Sequence, residues 1–161
     1  MLSLGCSTGL GVQAMAKMGF DAYGVDVSAE AIRVAYSLGR GSSCSVAPCL
    51  INASLTSLPY PSGHFPSAIS SDVLEHIHPN DIQTVIAEIT RVVSRHLVLR
   101  IATKPEARKM KLNGVVQRLH LTVEPAAWWV KQFEAAGWRQ RKGIVPKSNV
   151  NLANLALDRP S

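Results

Sequence analysis

The chain has 161 residues, 47% of them apolar and 17% charged, which suits one domain with a single sizeable core and excludes a disordered chain or a long coiled coil. No apolar run approaches the roughly 20 residues that span a bilayer, and no basic-then-apolar leader opens the chain, so a cytoplasmic domain over 1–161 with no membrane partner is expected. Seventeen Lys and Arg against eleven Asp and Glu leave a charge of +6, a balance compatible with an anionic partner or with nothing beyond solubility.

The predicted elements alternate. Leu2-Ser3-Leu4 reads as a first strand running into the small-residue turn Gly5-Cys6-Ser7-Thr8-Gly9. Residues 10–18 place Val12, Met15 and Ala16 at helical spacing, and Gly19 is placed to cap that helix. Residues 22–27 form a second strand. Ser28 is a good N-cap, Glu30 suits the helix dipole, and a helix is predicted to about Leu38. Gly39 to Ser45 reads as a loop, Pro48 to Ala53 as a third strand, and Pro59 to Gly63 as turn chemistry. Ser67 to Ser71 is the fourth strand. Ile82, Val85, Ile86, Ile89 and Val93 then follow helical spacing, and His96 to Ala102 is the fifth strand.

Arg100 to Arg118 holds six basic residues and one acid, and most of the charge surplus sits there. Its composition predicts an irregular segment or a short helix. Pro125 and Gly137 bracket a further helix with Trp128, Val130, Phe133 and Ala136 as its apolar positions, and one of the adjacent Trp128 and Trp129 should pack the core. Two late strands are expected near 138–145 and 150–157. Three cysteines, Cys6, Cys44 and Cys49, are few and odd in number, so no disulfide framework and a reducing compartment are expected.

Strands and helices in this order predict an α/β fold, a mostly parallel, Rossmann-like doubly wound sheet with helices on both faces. Ligands bind such sheets outside the carboxyl ends of the strands, at the switch point beside strand one. The small residues from Gly5 to Gly11 let a backbone approach a ligand closely. Asp26 follows Gly5 by 21 residues, at the expected end of the second strand, where a carboxylate can accept both hydroxyls of a ribose. The turn reads G-x-S-x-G-x-G, not the dinucleotide fingerprint G-x-G-x-x-G, which argues against a nicotinamide dehydrogenase.

Taken together these segments resemble class I S-adenosylmethionine-dependent methyltransferases of the type 11 kind. Leu2 to Gly11 is similar to the family's first motif and Gly24-Val25-Asp26-Val27-Ser28 to its second-strand motif. Ser57 to Phe65, Ser70 to Ile77, Arg91-Val92-Val93, His120-Leu121-Thr122 and Ala136-Gly137-Trp138 continue the likeness. The resemblance implies a seven-stranded sheet with the last strand inserted antiparallel, and S-adenosylmethionine as cofactor. It places Gly5, Cys6, Ser7 and Gly9 along the methionine part, Asp26 on the ribose, Val27 on the adenine, Ser54 and Leu55 at the adenine edge, and Ser71 at the end of strand four. Ser3, Ser7, Ser54 and Pro66 depart from the residues the family usually carries. The first strand begins at residue 2, so the resemblance also implies a domain without the usual N-terminal helical lid.

Methyl transfer from a sulfonium needs alignment and, for a protic acceptor, a base. Asp72, Glu75 and His76 would share one face of a helical turn, with His76 as general base and Glu75 orienting it. The same set resembles the metal-binding residues of small-RNA 2′-O-methyltransferases and ubiquinone-pathway O-methyltransferases, with His120 as a distant fourth ligand. It also reads as simple packing of the turn, and the metal-free assignment is the one adopted. The expected acceptor is a small molecule; RNA phosphates on residues 100–118, or a non-catalytic binding module, are the alternative. Trp128 or Trp129 is a candidate stacking surface for substrate.

Overall fold

A computed structural model describes residues 1–105, 110–113, 115–146 and 151–160. The strands are β1 (Leu2–Leu4), β2 (Tyr23–Asp26), β3 (Leu50–Asn52), β4 (Phe65–Ser71), β5 (Val93–Ala102), β6 (Met110–Leu112), β7 (Val115–Gln117), β8 (Arg139–Arg141) and β9 (Leu152–Asp158). The helices are α1 (Leu10–Lys17), α2 (Ala29–Ser37), α3 (Ile82–Val92) and α4 (Ala126–Ala135). Seven strands form one sheet in the order β3-β2-β1-β4-β5-β9-β8. The pairs from β3 through β5 are parallel, and β9 lies antiparallel between β5 and β8. The expected seven-stranded, doubly wound sheet with its last strand inserted antiparallel is present.

Period-two alternation divides the core. Leu2, Leu4, Tyr23 and Val25 pack with Ile82, Val85, Ile86 and Ile89 of α3 and with Trp129 and Phe133 of α4. The intervening Gly24 looks the other way: a side chain there would strike Cys6 and Leu50, which pack with Val12 and Met15 of α1 and Ile32 of α2. Both faces of the sheet are therefore covered.

The local signals explain most element ends. Ser28 Oγ accepts the Ala31 N–H at 3.1 Å and starts α2. Gly19 and Gly137 sit at φ of 89° and 90°, past the ends of α1 and α4, where a Cβ would be strained. On α3, Glu88 accepts the Leu58 N–H at 2.8 Å, while Arg91 donates to the Leu58 and Tyr60 carbonyls at 2.9 and 2.6 Å. This pair ties the loop ahead of β4 to the helix and holds the Glu88 carboxyl down at about 2, chiefly through its hydrogen bond from Arg91.

Several expectations need correction. β4 starts at Phe65, with a register irregularity between Phe65 and Ser67 that accommodates Pro66, a residue without an N–H to pair. β5 begins at Val93, directly after α3. Within the basic stretch β6 and β7 pair as an antiparallel ribbon rather than a short helix; Glu106, Arg108 and Lys109 lie outside the described residues. β8 is three residues long and β9 begins at Leu152, with Val150 outside the described residues. In α4 the core position belongs to Trp129, which is fully buried, while Trp128 is half-buried. Cys44 and Cys49 are joined by a disulfide with Cα atoms 5.4 Å apart, a local link that the cysteine count did not anticipate. Their separation of five residues in a loop brings them together without any wider framework, and Cys6 alone is free.

Candidate functional site

The site begins with register. β1 pairs Leu4 with Val25 of β2 on one side and with Ser70 of β4 on the other. The next residues of the three strands, Gly5, Asp26 and Ser71, therefore emerge together at one edge of the sheet. The chain leaves β1 toward one neighbour and β4 lies on its other side, which opens a crevice at this switch point. A cavity of about 430 Å³ occupies it, lined among others by Gly5, Ser7, Asp26, Ser54, Ser71 and His76.

Asp26 organises the first turn. Its carboxylate accepts the Ser7 N–H at 2.7 Å and the Ser28 N–H at 2.9 Å, joining the β1–α1 turn to the start of α2. Each carboxylate oxygen keeps a second lone-pair direction, so it can still accept from a ligand hydroxyl. Asn52 donates to the Asp26 and Val27 carbonyls at 3.0 and 2.8 Å and fixes the loop that follows. Val27 is apolar yet 77% exposed at the cavity wall, where it offers a surface to a flat ring. Leu55 lines the same wall, and Ser54 Oγ is 2.7 Å from Thr56 Oγ1.

Two conformational details shape the floor. Gly5 has φ of 71°, and a Cβ there would collide with the Val73 side chain. Only glycine lets β1 turn away while Val73 packs beneath it. Ser7 also takes a positive φ, 48°, a region that L side chains adopt at a cost of order 1–2 kcal/mol.

Not every expected cofactor residue faces this cavity. Cys6 donates its N–H to Val25 O at 2.9 Å and turns its side chain toward Gly24 on the opposite face. Burial, reinforced by the Asp26 charge, pushes its thiol up to about 12. Gly9 has φ of 75° and turns the chain into α1, with Leu50, Ala35 and Arg40 around it. Ser3 and Cys6 line an adjoining, smaller hollow of about 200 Å³ beside Met15 of α1, which shares Gly5 and Ser71 with the crevice.

Asp72, Glu75 and His76 do not share one face. Asp72 has φ of 56°, accepts the Ser71 hydroxyl at 2.8 Å and lies 3.6 Å from Arg100. Glu75, in the 3₁₀ turn Leu74–His76, is fully buried: Oε1 accepts the Ala102 N–H at 3.0 Å and Oε2 has no hydrogen-bond partner. His76 is exposed and faces the cavity. Glu75 does not orient it through a hydrogen bond. The Leu119 carbonyl does, accepting from His76 Nδ1 at 2.9 Å.

His120 completes an arrangement that sequence spacing left distant. Its ring lies 5.1 Å from that of His76, and its Nδ1 donates to the Lys104 carbonyl at 2.7 Å. A carbonyl only accepts, so both Nδ1 atoms carry protons, and in the neutral His76 ring Nε2 presents a lone pair. Glu75, His76 and His120 each offer a ligand atom, all within 4.8 Å of one another. The segment 119–122 is clamped to this turn, since Leu121 and Thr122 both donate to Glu75 O and Thr122 Oγ1 donates to Ile77 O. Beyond His120 lies a larger cavity, about 690 Å³, between β7 and α4.

Backbone groups such as Leu119 O and the packing residue Val73 carried no sequence signal. His120 stood in a recognisable His-Leu-Thr segment, but only the fold brings it to His76. His96 pairs with Asp158 at 2.8 Å, and His78 caps its own turn by accepting the Asn80 N–H. Both are structural. Among the described residues no helix is long and apolar enough to cross a membrane.

Comparison with known proteins agrees with this geometry. Residues 2–99 match the family model described as "Methyltransferase domain". No curated protein matches. Among solved structures, the fold is similar to the PH0226 protein of Pyrococcus horikoshii OT3, with 17% identity, TM-score 0.79, and 99% of this chain and 81% of that one covered. A SAM-dependent methyltransferase of Methanosarcina mazei aligns at 16% identity and TM-score 0.75, covering 98% and 91%. Magnesium protoporphyrin IX methyltransferase of Synechocystis PCC 6803, solved with bound SAM, aligns at 19% and 0.68, covering 99% and 69%. At these identities the structural likeness speaks for the fold.

Proposed function

The chain belongs to the family of methyltransferase domains, and from that premise we propose that it transfers a methyl group from S-adenosylmethionine to a protic group of a small molecule. The observation that carries this reading is the convergence of Gly5, Asp26 and Ser71 on one cavity that His76 also lines. The donor set suits the cofactor. Asp26 has free lone pairs for ribose hydroxyls, Val27 and Leu55 give apolar walls for an adenine, and Gly5 leaves room for close approach. Cys6 and Gly9 support the turn from behind instead of touching the ligand.

When bound, S-adenosylmethionine supplies a methyl group activated by a positively charged sulfur. Asp72, held by Ser71 and Arg100, puts a carboxylate at the cavity wall and favours a cationic ligand. The chain's remaining task is alignment and proton removal. His76 Nε2, its tautomer set by the Leu119 carbonyl, accepts the proton from the acceptor.

A second reading of the reacting end has its own support. The buried Glu75 carboxylate and the two imidazoles, whose ligand atoms lie within 4.8 Å of one another, fit a divalent cation, because a carboxylate with two imidazoles is a common donor set. Such an ion would lower the pKa of an acceptor hydroxyl. Titration with Mn²⁺ or Co²⁺ tests it, since His120→Ala should abolish the binding that the wild-type chain shows.

The primary test is calorimetric titration with S-adenosylhomocysteine. Binding in the micromolar to sub-millimolar range is expected, because the adenine-edge carboxylate usual in the family is replaced by Ser54. No heat at about 1 mM ligand, with the protein folded, overturns the proposal.

A further inference from the structure

Among the described residues, the cavity beyond His120 shares no lining residue with the crevice that holds Asp26. It measures about 690 Å³, within the roughly 300–1,000 Å³ range of small-molecule sites. Its wall combines Val116 and Leu121, each 46% exposed, with the half-buried ring of Trp128. Apolar side chains left this open inside a concavity gain by being covered. Among the described residues of the lining, Arg118 and Glu124 carry charge. The cavity neighbours the cofactor crevice through a ring contact: His120 lines the larger, His76 lines the smaller, and their rings pack edge to face with centroids 5.1 Å apart.

We propose that this cavity is the acceptor site and that it selects an amphipathic small molecule with a flat apolar body and an anionic group. The flat body lies against Trp128, Val116 and Leu121. The anionic group reaches the guanidinium of Arg118, whose planar fork matches a carboxylate. Glu124 accepts from a hydroxyl or amine of the ligand, and the group to be methylated projects between His120 and His76. The inference rests on the methyl-transfer reading for the direction of that projection, but the recognition itself stands on this cavity alone. The bounded volume and the mixture of apolar and single charged groups favour a small molecule over a nucleic-acid strand, which would need an extended basic track with aromatic interleaving.

The test uses the full chain with 4-hydroxycinnamate as probe and its methyl ester as the neutral comparison, by ligand-observed NMR and calorimetry. The acid is expected to bind with Kd below about 1 mM, and Arg118→Gln to weaken it by about tenfold while changing the ester less than about twofold. Trp128→Ala should weaken acid and ester alike, and Trp128→Phe should restore both. S-adenosylhomocysteine binding should be the same in all these variants. Equal binding of the acid to wild-type and Arg118→Gln protein, or no binding of either probe at about 5 mM, overturns the inference. So does displacement of the probe by an RNA oligonucleotide in a salt-dependent manner, which would assign Arg118 to phosphates. If S-adenosylhomocysteine fails to bind while the probe results hold, the methyl-transfer reading falls and the anion-selective cavity remains.

Discussion

Replacing Asp26 by Asn keeps the shape of the side chain and removes its charge and one acceptor. In the native structure the two carboxylate oxygens accept from Ser7 N–H at 2.7 Å and Ser28 N–H at 2.9 Å. An amide can satisfy one of these donors; its NH₂ group then opposes the other. Hydrogen bonds to a charged group contribute about 1.5–3 kcal/mol, and partial exposure of this site points to the lower end. A loss of about 1.5 kcal/mol corresponds to a fall in Tm of about 3–6 °C for a domain of this size. Ligand binding should suffer more if Asp26 holds the ribose as proposed, since the hydroxyls then lose a charged acceptor and the Ser7 turn is no longer pinned. A cost of about 3 kcal/mol would weaken S-adenosylhomocysteine by roughly 100-fold. Thermal melting by circular dichroism and calorimetric titration read the two effects separately. An Asp26→Asn protein that melts with the wild type and binds within about twofold of it would refute the argument that this carboxylate organises the crevice.

Gly5→Ala places a Cβ against Val73 at a residue with φ of 71°, so a loss of about 2–3 kcal/mol and of ligand binding is expected, read by denaturant melts and calorimetry. Glu88→Gln should destabilise the chain by about 1–2 kcal/mol at pH 7, after discounting for the partial exposure of the pair. The Glu88 carboxyl titrates at about 2 in the folded protein against about 4.5 unfolded, so its contribution is complete above pH 4.5 and disappears as the pH falls toward 2. Urea melts from pH 7 to pH 2 should therefore show the wild type and Glu88→Gln converging, and a constant gap would contradict the assignment. Cys6, buried with its thiol raised to about 12, should resist iodoacetamide at pH 8 in the native state and react once the chain is unfolded in urea. Rapid labelling of the native protein would show that the turn is open.

The alternation of short apolar runs with helical periodicity sufficed to predict the sheet class, and Gly5 and Asp26, 21 residues apart, sufficed to place the crevice. These features are local: a strand pattern, a cap or a glycine turn depends on the residues beside it, and the sequence displays them directly. The start of β4 at Phe65 and the β6–β7 ribbon were missed because bulges and strand pairing depend on residues far along the chain.

The reacting end marks the boundary most clearly. Residues 72–76 suggested one helical face bearing three functional groups. In the fold Asp72 turns to Arg100, Glu75 sinks into the core beside Ala102, and His76 meets His120 from 44 positions away. Likewise the disulfide and the cavity beyond His120 exist only because loops and strands close on one another. Sequence alone determined the architecture and the cofactor edge, since both follow from short-range periodicity and from residues with special backbone freedom. Tertiary structure alone decided which side chains share a site, because that is settled by long-range packing and by backbone carbonyls, such as Leu119 and Lys104, that any residue could have supplied.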